Sequence, residues 1–168
     1  MLYRVKQFIL GFISLYKKVD YDYVNKYLNE DDLVLFNRLK INDKHHSIRV
    51  CKDSINFNNK LEKKEKVDEV KLGRAALLHD LGKSKLYLSL IDKSAIVILD
   101  KITKGNIKNY KKNKKINIYY KHPKEGYEIL RRKGYSKEIL EVVRDHHKKN
   151  YNEDNKFLDI IAYCDNKN

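Results

Sequence analysis

Arg74-Ala75-Ala76-Leu77-Leu78-His79-Asp80-Leu81-Gly82-Lys83 is the stretch of this chain best equipped for chemistry. A histidine and an aspartate stand side by side at the end of an apolar run. Gly82 stops the run and Lys83 follows. Neutral imidazole and carboxylate form the mixed nitrogen and oxygen set that suits zinc, iron, manganese or a similar divalent ion. Lys83 lies four residues past His79 and returns to the same face if the last turn stays helical. Taken alone, the pair could equally be a buried, hydrogen-bonded couple. The other histidines decide between the two.

All six histidines fall in or beside four short motifs. They are His45-His46-Ser47-Ile48-Arg49-Val50, then His79-Asp80, then His122-Pro123-Lys124-Glu125-Gly126, then Asp145-His146-His147. Asp165 closes the series near the end of the last apolar-periodic segment, Ile160-Ile161-Ala162-Tyr163-Cys164-Asp165. Ordinary core histidines would be scattered. These sit at helix starts, helix ends or apolar faces, and several helices of a bundle can project such side chains into one interior site.

The elements that must position them read as helices. A single proline and few glycines in 168 residues argue for long helices in one domain with a sizeable core. Leu2, Val5, Phe8 or Ile9, Phe12 and Leu15 or Tyr16 recur at helical spacing and predict an amphipathic first helix. A short helix follows from Asp20 to Leu28. Asn29 caps another, with Glu30, Asp31 and Asp32 at its positive end. Further helices are expected at about 41–57, 67–81, 85–102, 122–133, 136–149 and 154–167, with Ser136 and Asp154 as caps. In 85–102 the predicted inner side is Leu86, Leu90, Ile91, Ala95, Ile98, Leu99 and Ile102. Residues 58–66 and 104–121 read as loops. The second is basic, and Tyr110, Tyr119 and Tyr120 could stack on a base there. The expected domain plan is residues 1–40 packed on a metal-binding domain of 41–168.

The net charge of +14 points to a polyanionic partner, whether nucleotide, nucleic acid or anionic lipid. Abundant Lys, Asn, Ile and Tyr are also what an AT-rich coding sequence would give. Basic residues around the apolar face of the first helix fit a peripheral membrane contact. Phe8 to Tyr16 is too short to span a membrane, and no small-residue cleavage pattern follows it. Cys51 and Cys164 lack a CxxC spacing and read as core residues of a reducing compartment, so a cytoplasmic location is expected.

With these motifs in order, the chain resembles the HD superfamily of metal-dependent phosphohydrolases. The likeness rests on HS-x-RV, HDLGK, HP-x-x-G followed by Ile129-Leu130, the double histidine and the final aspartate, from about residue 41 to 165. It implies an all-α HD-domain bundle with a metal site in its core. It implies His46, His79, Asp80 and Asp165 as ligands of a primary ion, with Asp80 able to bridge. His122, His146 and His147 match the additional ligands of two-metal members, nearest the HD-GYP-like branch. Lys83 matches a lysine beside the scissile phosphate, and Arg49 is a second candidate for holding it. Asp145 is expected to orient a ligand imidazole and His45 to lie outside the coordination shell. Lys148-Lys149-Asn150-Tyr151 lacks the acidic residue and Gly-Tyr-Pro loop of the cyclic-di-GMP enzymes. Asn42 stands where some members carry a third-metal glutamate.

The expected function is hydrolysis of a phosphomonoester or phosphodiester, of a nucleotide or cyclic nucleotide, with divalent ions such as iron or manganese. Paired cations neutralise phosphate oxygens and lower the pKa of a bound water toward 7. Asp80 and Lys83 are the expected catalytic pair. Two rivals use the same residues: a di-iron oxygenase of HD type, and a non-catalytic metal-stabilised module that binds a nucleotide or RNA.

Overall fold

In a computed structural model, residues 17–85, 89–110, 112–148 and 154–168 are described. The expected first helix, Leu86 and Lys149-Asn150-Tyr151 lie outside them. Among the described residues there are eight α-helices, two 3-10 helices and no strand. They are α1 (Tyr21–Val24), α2 (Glu30–Phe36), α3 (Ile41–Lys60), α4 (Glu69–Leu78), α5 (Leu90–Ile102), α6 (Lys114–Arg132), α7 (Lys137–Asp145) and α8 (Lys156–Asp165). The 3-10 turns are Leu81–Lys85, after α4, and Asn106–Asn109, after α5. The fold is the all-α bundle expected.

Local chemistry sets the helix starts. Asn29 and Asp32 form a capping box on α2, and Asp68 accepts from the Lys71 amide to open α4. The core then gathers the apolar faces. α3 packs on α4 and α8, α4 on α7 and α8, and α6 on α7 and the first 3-10 turn. Phe36, Leu72, Leu77, Leu78, Leu81, Leu130, Leu158 and Ile161 are fully buried there. Both cysteines are buried and unpaired, as core residues. No helix among the described residues is long and apolar enough to cross a membrane.

Three expectations are corrected. Residues 104–121 are not one loop: they hold the second 3-10 turn and the first two turns of α6. Asn113 caps that helix by accepting from the amides of Lys115 and Ile116, and Ile116 buries against Ile96 and Ile107. Tyr120 donates its hydroxyl to Asp100 instead of lying open to a base. At α8 the cap is Asn155, which accepts from the Leu158 amide, and not Asp154. Ser136 takes the cap position of α7 without a side-chain bond. In α5 the face expected to be inner is outer. Ile91, Ala95, Ile98, Leu99 and Ile102 are exposed, because the helix rests on α6 through the opposite side, at Ile96.

Candidate metal centre

Five elements bring the predicted residues together. His46 lies on α3. His79 and Asp80 follow the last residue of α4. His122 is inside α6, His146 and His147 follow α7, and Asp165 ends α8. His46 Nε2 lies 2.9 Å from Asp165 Oδ1 across a separation of 119 positions in sequence. Asp80 is fully buried at the centre. Its Oδ2 faces His79 Nε2 at 3.4 Å and His46 Nε2 at 3.6 Å. Its Oδ1 faces His122 Nε2 at 3.3 Å and His146 Nε2 at 3.7 Å. His147, half exposed, brings Nδ1 to 3.6 Å from Asp165 Oδ2. Three overlapping sets emerge whose donor atoms lie within 4.8 Å of one another: Asp80, His122, His146 and His147; His46, His79 and Asp80; and His79, His146 and Asp165.

Backbone carbonyls aim the three most buried rings. His79 Nδ1 donates to the Ala76 carbonyl at 2.8 Å, and His146 Nδ1 lies 3.1 Å from the carbonyls of Val142 and Val143. These carbonyls belong to the last turns of α4 and α7, where carbonyls have lone pairs to spare; that of Val142 also keeps its helical partner, the His146 amide. His122 sits mid-helix, where none should be free. Pro123 solves this: without an N–H it cannot bond the Tyr119 carbonyl one turn back, and His122 Nδ1 takes that carbonyl. The histidine-proline pair is therefore one device, a proline that frees the acceptor its neighbour needs.

A carbonyl can only accept, so each of these Nδ1 atoms carries the proton. In the neutral ring Nε2 then presents a bare lone pair. The Nε2 atoms of His79, His122 and His146 and the Oδ1 of Asp80 are buried without a hydrogen-bond partner. Acceptors thus face acceptors in a closed cavity, an arrangement that costs free energy unless a cation lies between them. Protonating the rings would be the other remedy. Burial opposes it at His46 and His122 and pushes both imidazoles down, whereas at His79 the facing carboxylates of Asp80 and Asp165 outweigh burial and push the imidazole up. At Asp80 and Asp165 burial works to raise the carboxyls and is outweighed. Lys83 and His79 hold Asp80 well below the usual carboxylate range, and His46 and His79 do so for Asp165. Ionised carboxylates, with His46 and His122 held toward the neutral form, fit a divalent transition metal, whose charge would take the place of a proton on His79.

Glycine lets the backbones meet. A Cβ on Gly82 would lie 1.8 Å from the His122 carbonyl oxygen and 2.7 Å from the Gly126 amide nitrogen. A Cβ on Gly126 would lie 3.0 Å from the Gly82 nitrogen. The glycines of HDLGK and HP-x-x-G are thus two sides of one crossing, which seats His122 over Asp80.

Lys83 does not continue a helix from His79. The backbone tightens to a 3-10 turn, and its ammonium reaches Asp80 directly. Burial would lower that ammonium, but Asp80, Asp43 and Asp165 raise it. Asp43 was missed in the sequence. It is buried on α3 one turn before His46, and an i, i−3 spacing from a ligand candidate is the signal that could have found it. Arg49 lies one turn after His46 on the same helix. His45 turns away, with Nε2 3.1 Å from the Lys17 carbonyl oxygen. Asp145 does not orient an imidazole: its carboxylate accepts from Arg144, and Lys148 pairs with it at 2.8 Å.

No curated protein and no solved structure matches the chain significantly. A family model for the HD domain matches residues 44–166, from just before His46 to just after Asp165. With its clustered histidines and aspartates inside that span, the chain belongs to the HD domain family, whose members are in general metal-dependent phosphohydrolases.

Proposed function

We propose that this chain hydrolyses a phosphomonoester or phosphodiester, of a nucleotide or cyclic nucleotide, with two divalent ions in the cluster. In this reading His46, His79, Asp80 and Asp165 hold one ion. Asp80, His122, His146 and His147 hold the other, and residues 41–168 form the metal-binding domain. Such ions supply charge neutralisation at phosphate oxygens and an activated water near neutral pH.

The observation that carries the proposal is the division of Asp80. One oxygen of a fully buried carboxylate faces His46 and His79, and the other faces His122 and His146. A carboxylate shared in this way suits a paired site better than a single one. Lys83 is the cation next to it, and part of its side chain is open to solvent. It is placed to bind a phosphate oxygen and to stabilise charge that develops on it. Asp43 and Asp80 keep the ammonium protonated for that task. Arg49 is the second candidate for a phosphate contact. The histidine-rich donor set favours iron or manganese over magnesium.

The test is metal counting after anaerobic purification, then turnover of a panel of nucleotides and cyclic dinucleotides with manganese or ferrous iron. Two ions per chain and release of phosphate or a nucleoside monophosphate are expected. A fully loaded protein that turns over none of the panel overturns the hydrolase reading. One ion per chain at saturation overturns the paired site.

A further inference from the structure

α5 carries an apolar surface that the metal cluster does not explain. Nine large hydrophobic residues are exposed among the described residues, and five lie between Ile91 and Tyr110. Ile91 is 75% exposed, Ile102 71% and Ile98 57%. With Ala95 they follow the spacing i, i+4, i+7, i+11, one continuous stripe on a helix. The stripe faces away from α6, which α5 touches through Ile96. An aliphatic stripe of this kind on the outside of a fold marks an interaction surface.

The surrounding charge selects the partner. Residues 89–121 hold nine lysines, two aspartates and no arginine. Both aspartates are engaged: Asp92 with Ser89 and Lys115, and Asp100 with Tyr120. Lys101, Lys104, Lys108, Lys112 and Lys114 are exposed on or after the helix that carries the stripe, and no free acid in the segment offsets them. A second copy would set two such groups of lysines against each other and is disfavoured. Residues 1–16 bring two further cations and no acid, so they add no complementary charge. RNA is read mainly with arginine and stacked aromatic rings, whereas this segment has no arginine and a single well-exposed ring, Tyr110, beside four exposed aliphatic side chains. An anionic bilayer supplies both missing parts, acyl chains for the isoleucines and headgroup phosphates for the lysines.

We propose that the exposed face of α5, with Lys101, Lys104, Lys108, Lys112 and Lys114, docks this protein on an anionic membrane surface. The isoleucine stripe lies in the interface and the helix runs parallel to the membrane plane. α6 joins this segment to His122, so docking turns one side of the metal-cluster domain toward the lipid. The proposal rests on the surface alone and stands whether or not the cluster hydrolyses phosphate esters.

The test is flotation of the full chain with vesicles of equal parts phosphatidylcholine and phosphatidylglycerol, against vesicles of phosphatidylcholine alone. Binding to the anionic vesicles only is expected. It should weaken on the order of tenfold or more in the combined variant Ile91→Ser, Ile98→Ser, Ile102→Ser, because the apolar half of the contact is gone. These residues are exposed, so the variant should keep its helical circular dichroism, which is checked alongside. Cys51 and Cys164 are buried, so Ile98→Cys permits an environment-sensitive fluorophore to be attached at that position. A blue shift of that label on anionic vesicles is expected. Absence of flotation overturns the proposal. So does flotation that the triple variant leaves unchanged, or a label that keeps its aqueous emission while the protein floats. A concentration-dependent dimer that the triple variant abolishes, or RNA binding in preference to vesicles, would assign the surface to those partners and equally overturn it.

Discussion

In α4, Leu72, Ala75, Ala76, Leu77 and Leu78 are all fully buried, whereas in α5 Ile91, Ile98, Leu99 and Ile102 face solvent and Ile96 is the buried anchor. The two helices have similar apolar patterns and opposite uses for them. α4 ends on His79 and Asp80, which need dry walls on every side to keep unpartnered lone pairs aimed at one point. α5 contributes no residue to the cluster and is anchored in a small separate group, Ile96, Ile107 and Ile116. Burial is concentrated where orientation matters to the cluster, and the remaining apolar surface is left available outside.

The largest expected effect lies at the centre of the first region. Asp80→Ala removes the carboxylate that both sets of imidazoles face. Metal content should collapse and any phosphohydrolase turnover should fall by on the order of 10³. Elemental analysis beside kinetics reads both. Normal metal content in this variant would break the view that Asp80 is the shared residue.

Two glycines compare the regions by stability. Gly82→Ala puts a methyl against the His122 carbonyl, which cannot swing aside, and should cost about 3 kcal/mol in urea unfolding. Gly105→Ala follows α5, at φ +85° with nothing within 4 Å of the added carbon. There the cost is backbone strain alone, about 1 kcal/mol. Equal costs would show that the crossing of the first 3-10 turn over α6 is not tight.

A finer probe is Pro123→Ala. The restored backbone N–H competes for the Tyr119 carbonyl and loosens His122. Affinity for the more weakly held ion should drop about tenfold, with no loss of unfolding free energy. Metal titration beside thermal unfolding separates this from general damage.

The smallest effect sits in the second region. Asp92 accepts from Lys115 and from the Ser89 amide and hydroxyl, which bring its carboxyl down to about 2. A depressed carboxyl contributes stability that is complete above its ordinary value of 3.8. That contribution is lost as pH falls through about 2. The start of α5 should therefore loosen between pH 4 and pH 2. Carbon-detected NMR of the Asp92 carboxyl reads the titration directly, and Asp92→Asn should remove that step from the helix's acid response.

The fold class, the motif residues and the family resemblance were legible in the sequence. They depend on local facts: helical spacing of apolar residues, caps such as Asn29, and chemically distinctive side chains. Less legible was anything set by what one element meets. Ile91, Ile98 and Ile102 read as a core face because periodicity shows that a helix has two sides, not which side finds a neighbour. Asp43 looked like one of many acids until α3 brought it near Lys83. Asp154 and Asn155 are adjacent and both able to cap, and the local backbone path chose between them.

By itself, the sequence determined which atoms are available: six imidazoles, the carboxylates of Asp80 and Asp165, a proline beside His122, and glycines at 82 and 126. Only the tertiary structure decided that five of the imidazoles and both carboxylates form one cluster, with the two oxygens of Asp80 turned to different histidines and His45 turned away. Spacing along a chain constrains neighbours within a few turns of helix. Convergence from α3, α4, α6, α7 and α8 depends on how five apolar faces pack together, and that is a property of the whole bundle.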